Sequence, residues 1–171
     1  MIERIDKLNK EALRLTAKGE YPEAIACFNR AILLNKYNPI IWYNLGVTYR
    51  NSGDLINARD SFRQALEFDR RNPDIIEALA TVYIQLKNKE EISHYATYGL
   101  EIDDSNPRFW NLQGVSYFQS ENYTQAAESF EKALCYNPYY LDALYNLKDT
   151  YEELDNKIGV NECTKRIREI L

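Results

Sequence analysis

Few side chains in this chain are of the kinds that do covalent or metal chemistry, and their spacing argues against all of it. His94 is the only histidine. It falls in a helical stretch with no cysteine near it, whereas an imidazole acting as base or ligand needs a partner to orient it. It reads as a solvent-facing helical residue. Cys27, Cys135 and Cys163 are odd in number, widely separated and unaccompanied by histidine. Zinc sites need close pairs of such ligands. These cysteines instead fit buried thiols in a reducing compartment, and a cytoplasmic location is expected from them. Asp103-Asp104 lacks the calcium-loop pattern. No glycine-rich phosphate loop or nucleophile elbow occurs, and the remaining carboxylates fall where a helix surface would carry them. The sequence predicts no catalytic residue, no metal and no cofactor.

Charge narrows the partners. The chain carries 26 acidic and 21 basic residues, net −5, with pI near 5.1. Binding a nucleic acid takes a basic stripe that displaces phosphate counterions, and none is present. An anionic membrane surface is disfavoured for the same reason. No run approaches the roughly 18 apolar residues of a membrane span. The opening Met1-Ile2-Glu3-Arg4-Ile5-Asp6-Lys7 is charged and amphipathic, with no apolar leader core. At 45% hydrophobic and 27% charged residues the chain is a folded one. Fourteen tyrosines supply apolar bodies with polar tips, suited to half-buried packing and to contact surfaces.

The elements that carry these residues repeat. Ala24, Ala58, Ile92, Ala126 and Val160 follow one another at 34 residues. The same step links Phe28, Phe62, Ala96 and Phe130; Ala31, Ala65, Gly99, Ala133 and Ile167; Leu8, Trp42, Ile76, Trp110 and Leu144; and Leu15, Tyr49, Tyr83, Tyr117 and Tyr151. Within 39–72, Trp42, Leu45, Gly46 and Tyr49 share one helical face and Ala58, Phe62, Ala65 and Leu66 another. Asn51-Ser52-Gly53-Asp54 supplies the turn between them. Each period is thus two antiparallel helices, A and B. Asn38-Pro39, Asn72-Pro73 and Asn106-Pro107 mark A-helix starts, with Asn as cap and Pro at the first helical position; Pro22 does the same for the first B helix. Asn137-Pro138 comes three residues early, so the fifth A helix is expected to start about a turn sooner. Gly46 and Gly114, in one column with Ala12 and Ala80, mark where A crosses B and the axes come close. Trp42 is expected to be buried, with alanine there costing roughly 3–5 kcal/mol.

Trp42-x2-Leu45-Gly46-x2-Tyr49 with Ala58, Phe62 and Ala65 resembles the tetratricopeptide repeat signature. Trp110-x2-Gln113-Gly114-x2-Tyr117 with Ala126, Phe130, Ala133 and Pro138 resembles it again. The resemblance covers about 5–171. It implies an all-α, right-handed α-α superhelix of antiparallel hairpins, about five repeats and about ten helices, in one domain divided near 5–38, 39–72, 73–106, 107–140 and 141–171. The repeats depart from the pattern in places. The first is a weakened copy suited to a capping end. The third, with Ala96 and Gly99 for Phe and Ala, is expected to be locally irregular, Tyr95 and Tyr98 refilling the volume. The fifth has Lys148 for a small residue and Thr164 for Phe, and its last helix looks like a solvating cap.

The resemblance further implies an inner groove lined by A helices that holds a peptide. By family register its residues are Tyr43, Asn44, Val47, Arg50, Glu77, Arg108, Asn111, Val115, Phe118, Asp142, Tyr145, Asn146 and Asp149, flanked by Asp6, Asn9, Lys10, Leu13, Ile40, Asn51, Asp74, Ala78, Thr81, Ile84, Gln85, Leu112, Gln119, Glu152 and Glu153. Asn44, Asn111 and Asn146 could bond a peptide backbone whatever its sequence. Tyr43, Phe118 and Tyr145 could be anchors. The clamp that some family members use on chaperone C-termini is not matched: only Asn44 fits, and Asn9, Leu13, Asp74 and Ala78 fill the other places. Acids gathered toward the C-terminal end point to a basic or mixed apolar segment. The function expected is a non-catalytic scaffold or adaptor, monomeric or weakly self-associating. Self-assembly, or service as the interaction part of a larger assembly, are the alternatives. An RNA-reading repeat would need basic inner residues and is contradicted.

Overall fold

The step of 34 residues in the sequence is kept by the backbone. The structure, a computed structural model, describes residues 2–171, with side chains from Arg4 onward. Among them are ten helices and no strand: α1 (Ile2–Ala17), α2 (Tyr21–Leu34), α3 (Pro39–Asn51), α4 (Leu55–Phe68), α5 (Pro73–Gln85), α6 (Lys89–Ile102), α7 (Pro107–Gln119), α8 (Tyr123–Tyr136), α9 (Leu141–Glu153) and α10 (Lys157–Ile170). They form two compact units, the first ending at Leu86 and the second beginning at Lys87. In the first, each helix from α1 to α5 packs on the next, and α3 also touches α1 and α5. In the second, α6 to α10 pack in the same serial way, with α7 also touching α9. No helix serves as a common centre in either unit; within each, a helix takes part of its interior from the next.

The starts of α3, α5 and α7 follow the capping logic, and that of α9 does not. Asn38, Asn72 and Asn106 each accept, through Oδ1, the amide N–H two residues on at 3.0 Å. The expectation for the fifth A helix is not met. α9 begins at Leu141, in phase with its fellows, and Tyr140 takes the cap position without a side-chain bond. Asn137 instead ends α8 and its Oδ1 accepts from Tyr139 N at 3.1 Å. Asn35 does the same toward Tyr37 in the first such loop. Pro138 therefore occupies the turn, where its fixed φ suits a bend, and not the helix start.

The A-to-B turns share a feature that the sequence reading passed over. Gly19, Gly53, Lys87, Glu121 and Asp155, one column, all have positive φ, from 52° to 85°. In the turn after α3, Gly53 N–H donates to Arg50 O and Asp54 N–H to Tyr49 O; after α7, Glu121 and Asn122 repeat this onto Phe118 and Tyr117. This is the paired closure by which a left-handed residue satisfies the last carbonyls of a helix. Asp54 then caps α4, its carboxylate held below the usual range by hydrogen bonds from the Asn57 side chain and amide.

Small residues are matched to aromatic rings. A Cβ on Gly46 would stand 2.7 Å from the Phe62 ring, and one on Gly114 2.4 Å from Phe130. The glycines thus sit where A crosses its own B. The irregularity expected of the third repeat is absent from α6, which runs 14 residues like α4 and α8. Gly99 is compensated by Phe109, whose ring would lie 2.3 Å from a Cβ there and is fully buried. Trp42 is half-buried, not fully. Its ring packs against the core and its Nε1 donates to Lys36 O at 2.7 Å, as Trp110 does to Asp104 O at 2.6 Å. The full cost of a buried aromatic does not apply to it. His94 is exposed.

Candidate functional site

The A-helix residues singled out by register divide by unit and by accessibility. In the first unit, Tyr43, Asn44, Val47, Arg50 and Glu77 are all half-buried. Tyr43 lies against the Phe62 ring at 5.6 Å between centroids. Asn44 Nδ2 donates to Asn9 Oδ1 at 3.0 Å, and Thr48 and Thr16 meet through their hydroxyls at 2.9 Å. Both contacts bridge α1 and α3, so this part of the face is stapled by polar pairs.

The second unit repeats the staple. Asn146 Nδ2 donates to Asn111 Oδ1 at 2.9 Å, joining α9 to α7. Asn111 is only 8% exposed. Its carbonyl is thus occupied inside the packing, and each asparagine pair keeps only part of its bonding capacity for anything else. Arg108 and Val115 are half-buried. Phe118, also half-buried, packs edge-on against Tyr123 at 5.3 Å. Asp142, Tyr145 and Asp149 are exposed along one face of α9. Lys148 binds Glu152 at 2.9 Å and Asp149 at 3.5 Å, its ammonium held charged above the usual range first by the Glu152 bond. Tyr123, beside this region, has its phenol pushed up by burial and then by Glu153 and Glu121. The local field is negative.

Two clefts at A-helix N-termini were not anticipated. In the first unit Ile40, Tyr43 and Ile75 with Asp69, Asn72 and Asp74 enclose about 170 Å³. In the second, Arg108, Asn137 and Tyr140 with Asp103, Ser105 and Asn106 line about 500 Å³. Ile40, Asp69 and Asn72 stand two periods before Arg108, Asn137 and Tyr140. Reading those columns together would have exposed the pair. A third cavity of about 660 Å³ lies between α8 and α10, floored by Tyr151 where Gly159 lacks a side chain. There the Tyr151 hydroxyl donates to Glu131 at 2.5 Å, and its pKa is driven up by burial and then by that carboxylate. Cys163, on the same cavity, is pushed up by burial.

Two family models match, one described as TPR repeat over residues 12–53 and one as tetratricopeptide repeat over 39–72 and 107–140. The chain belongs to the tetratricopeptide repeat family. A TPR repeat-containing protein of Methanocaldococcus jannaschii is 29% identical over 146 residues, 79% of this chain and 25% of that protein. The photosystem I assembly protein Ycf3 of Acaryochloris marina is 29% identical over 110 residues, 62% of this chain and 61% of its own. Among solved structures, pilF of Pseudomonas aeruginosa superposes with a TM-score of 0.83 at 19% identity, covering 99% of this chain and 77% of that one. The fold is therefore that of the tetratricopeptide solenoid proteins. The chain spans about a quarter of the length of the first curated relatives it matches. No described helix is long and apolar enough to cross a membrane, and no group of three or more potential metal ligands occurs among the described residues.

Proposed function

We propose that this tetratricopeptide chain is a non-catalytic scaffold whose A-helix faces hold a basic or mixed apolar segment of a partner protein. The observation that carries the reading is on α9, where Asp142, Tyr145 and Asp149 stand exposed on one face beside the Asn146–Asn111 staple. A rigid backing with carboxylates around an exposed aromatic favours a cationic segment with an apolar residue among its charges. The net charge of −5 acts in the same direction. Ycf3, similar over 62% of the chain, is a photosystem I assembly protein, which supports a partner-holding role here. In the first unit the same role falls to Tyr43, Asn44, Val47, Arg50 and Glu77, and in the second also to Arg108, Asn111, Val115 and Phe118.

The test uses exposed residues, because Tyr43, Asn44 and Phe118 also support the packing. Asp142→Asn, Tyr145→Ser and Asp149→Asn are combined in the full chain. Binding to arrays of basic, neutral and acidic peptides is then read by fluorescence anisotropy. Wild type should prefer basic peptides, lose them as salt rises, and bind about tenfold more tightly than the triple variant at unchanged helicity and Tm. A preference for acidic peptides, or equal binding by the variant, would overturn the reading.

A further inference from the structure

We propose that the cleft of the first unit, at the start of α3, receives one lysine or arginine side chain of the partner segment. This rests on the partner-holding reading above and gives it a residue-level preference. At about 170 Å³ the cleft is smaller than the roughly 300 Å³ at which small-molecule sites begin. It has room for a side chain.

The lining has two halves that match the two halves of such a side chain. Ile40, 61% exposed, joins the Tyr43 ring and Ile75 in an apolar wall suited to an aliphatic stem. The same cleft is lined by Asp69, whose Oδ2 accepts from Asn72 Nδ2 at 2.8 Å. Asn72 is itself fixed, since its Oδ1 takes the amide N–H groups of Asp74 and Ile75. The asparagine thus pins one carboxylate oxygen and leaves Asp69 Oδ1 for a donor in the cleft. Arg70 and Arg71 share the loop with Asp69. A neutral aliphatic residue would cover Asp69 without bonding it, at a desolvation cost. An anionic one would be repelled. A cation near Tyr43 also gains from the ring face.

The same register in the second unit provides the contrast. There Arg108 replaces Ile40 and Asn137 replaces Asp69. The cation is built in and the carboxylate of the Asp69 position is gone, while Asp103 enters that cleft from the preceding loop. In the second cleft Arg108 can answer the carboxylate of its own lining, whereas Asp69 in the first has Ile40 at the matching place.

The experiment is an amide NMR titration of the full chain with Nα-acetyl-lysine N-methylamide, its arginine counterpart and its norleucine counterpart. Two variants accompany wild type, Asp69→Asn and Ile40→Arg. Each introduces the residue that the repeat already carries two periods on, so the fold is kept, and the wild-type-like spectrum of the remaining amides verifies this. Lysine or arginine probes should shift Ile40, Tyr43, Asp74 and Ile75 saturably, and norleucine should bind about tenfold more weakly. Both variants should lose that difference. Equal binding of norleucine, cation binding undiminished in Asp69→Asn, shifts centred elsewhere, or no saturable shift would each overturn the inference. The α9 triple variant reports on the wider reading independently: basic peptides that still depend on α9 while Asp69→Asn changes nothing remove the cleft assignment alone.

Discussion

At the scale of single residues, the left-handed column carries a cost that the chain meets unevenly. Gly19 and Gly53 adopt positive φ freely, but Lys87, Glu121 and Asp155 hold the same conformation with a Cβ. A side chain there crowds the following carbonyl, at roughly 1–2 kcal/mol for ordinary residues and less for Asp. Glycine loses more backbone entropy on folding, which takes back part of the gain. Lys87→Gly and Glu121→Gly should therefore each stabilise by about 0.5–1 kcal/mol, and Asp155→Gly by less. Urea midpoints at constant m-value would show it; a lowered midpoint for Glu121→Gly would contradict the strain argument. This column was legible in part, since Gly19 and Gly53 stand one period apart, but Lys, Glu and Asp at the later copies disguise it. The asparagines were legible as a set and not as pairs. Asn44 meets Asn9, and Asn146 meets Asn111, because adjacent A helices place residues 35 apart together. That offset belongs to packing, and no single column reveals it.

At the scale of helices, the Asn-Pro columns placed the starts of α3, α5 and α7, and the errors came from reading each column alone. Ala96 and Gly99 looked like defects of the third B helix. Gly99 is matched instead by the neighbouring A helix, in two columns that hold Ala31 with Ile41, Ala65 with Ile75 and Gly99 with Phe109. A smaller residue on one helix accompanies a larger one on the next, so volume is conserved across the contact and not within the repeat. Where Gly46 and Gly114 meet phenylalanines, the last hairpin reverses the sizes with Lys148 and Thr164. Gly99→Ala should force the Phe109 ring to move and cost about 1–3 kcal/mol. Phe109→Ile leaves a space and should cost about 1–2 kcal/mol. The two changes together restore the pairing found at Ala65 and Ile75, so their combined cost should fall below the sum by about 1 kcal/mol or more. Denaturation of the four proteins of this cycle measures the coupling; strict additivity would show that Gly99 is not there to admit the ring.

At the scale of the molecule, serial packing decides how stability is distributed. In the second unit α8 packs on both α7 and α9, whereas α10 packs on α9. The burial follows. α8 buries Ala126, Ala127, Ser129, Phe130, Ala133 and Leu134; α10 buries only Cys163 and Ile167. In a closed globule the helices share one interior and open together, but in a serial stack a terminal helix can detach while its neighbours remain. Fewer apolar contacts hold α10, and detaching it exposes little beyond its own two buried side chains and the α9 surface it covers. Native-state hydrogen exchange should accordingly find the central amides of α10 protected roughly 10–100-fold less than those of α8. Added denaturant should release α10 before α8. Equal protection in both helices, with one common denaturant dependence, would mean that the unit opens as a single block, and the serial account of its energetics would then be wrong.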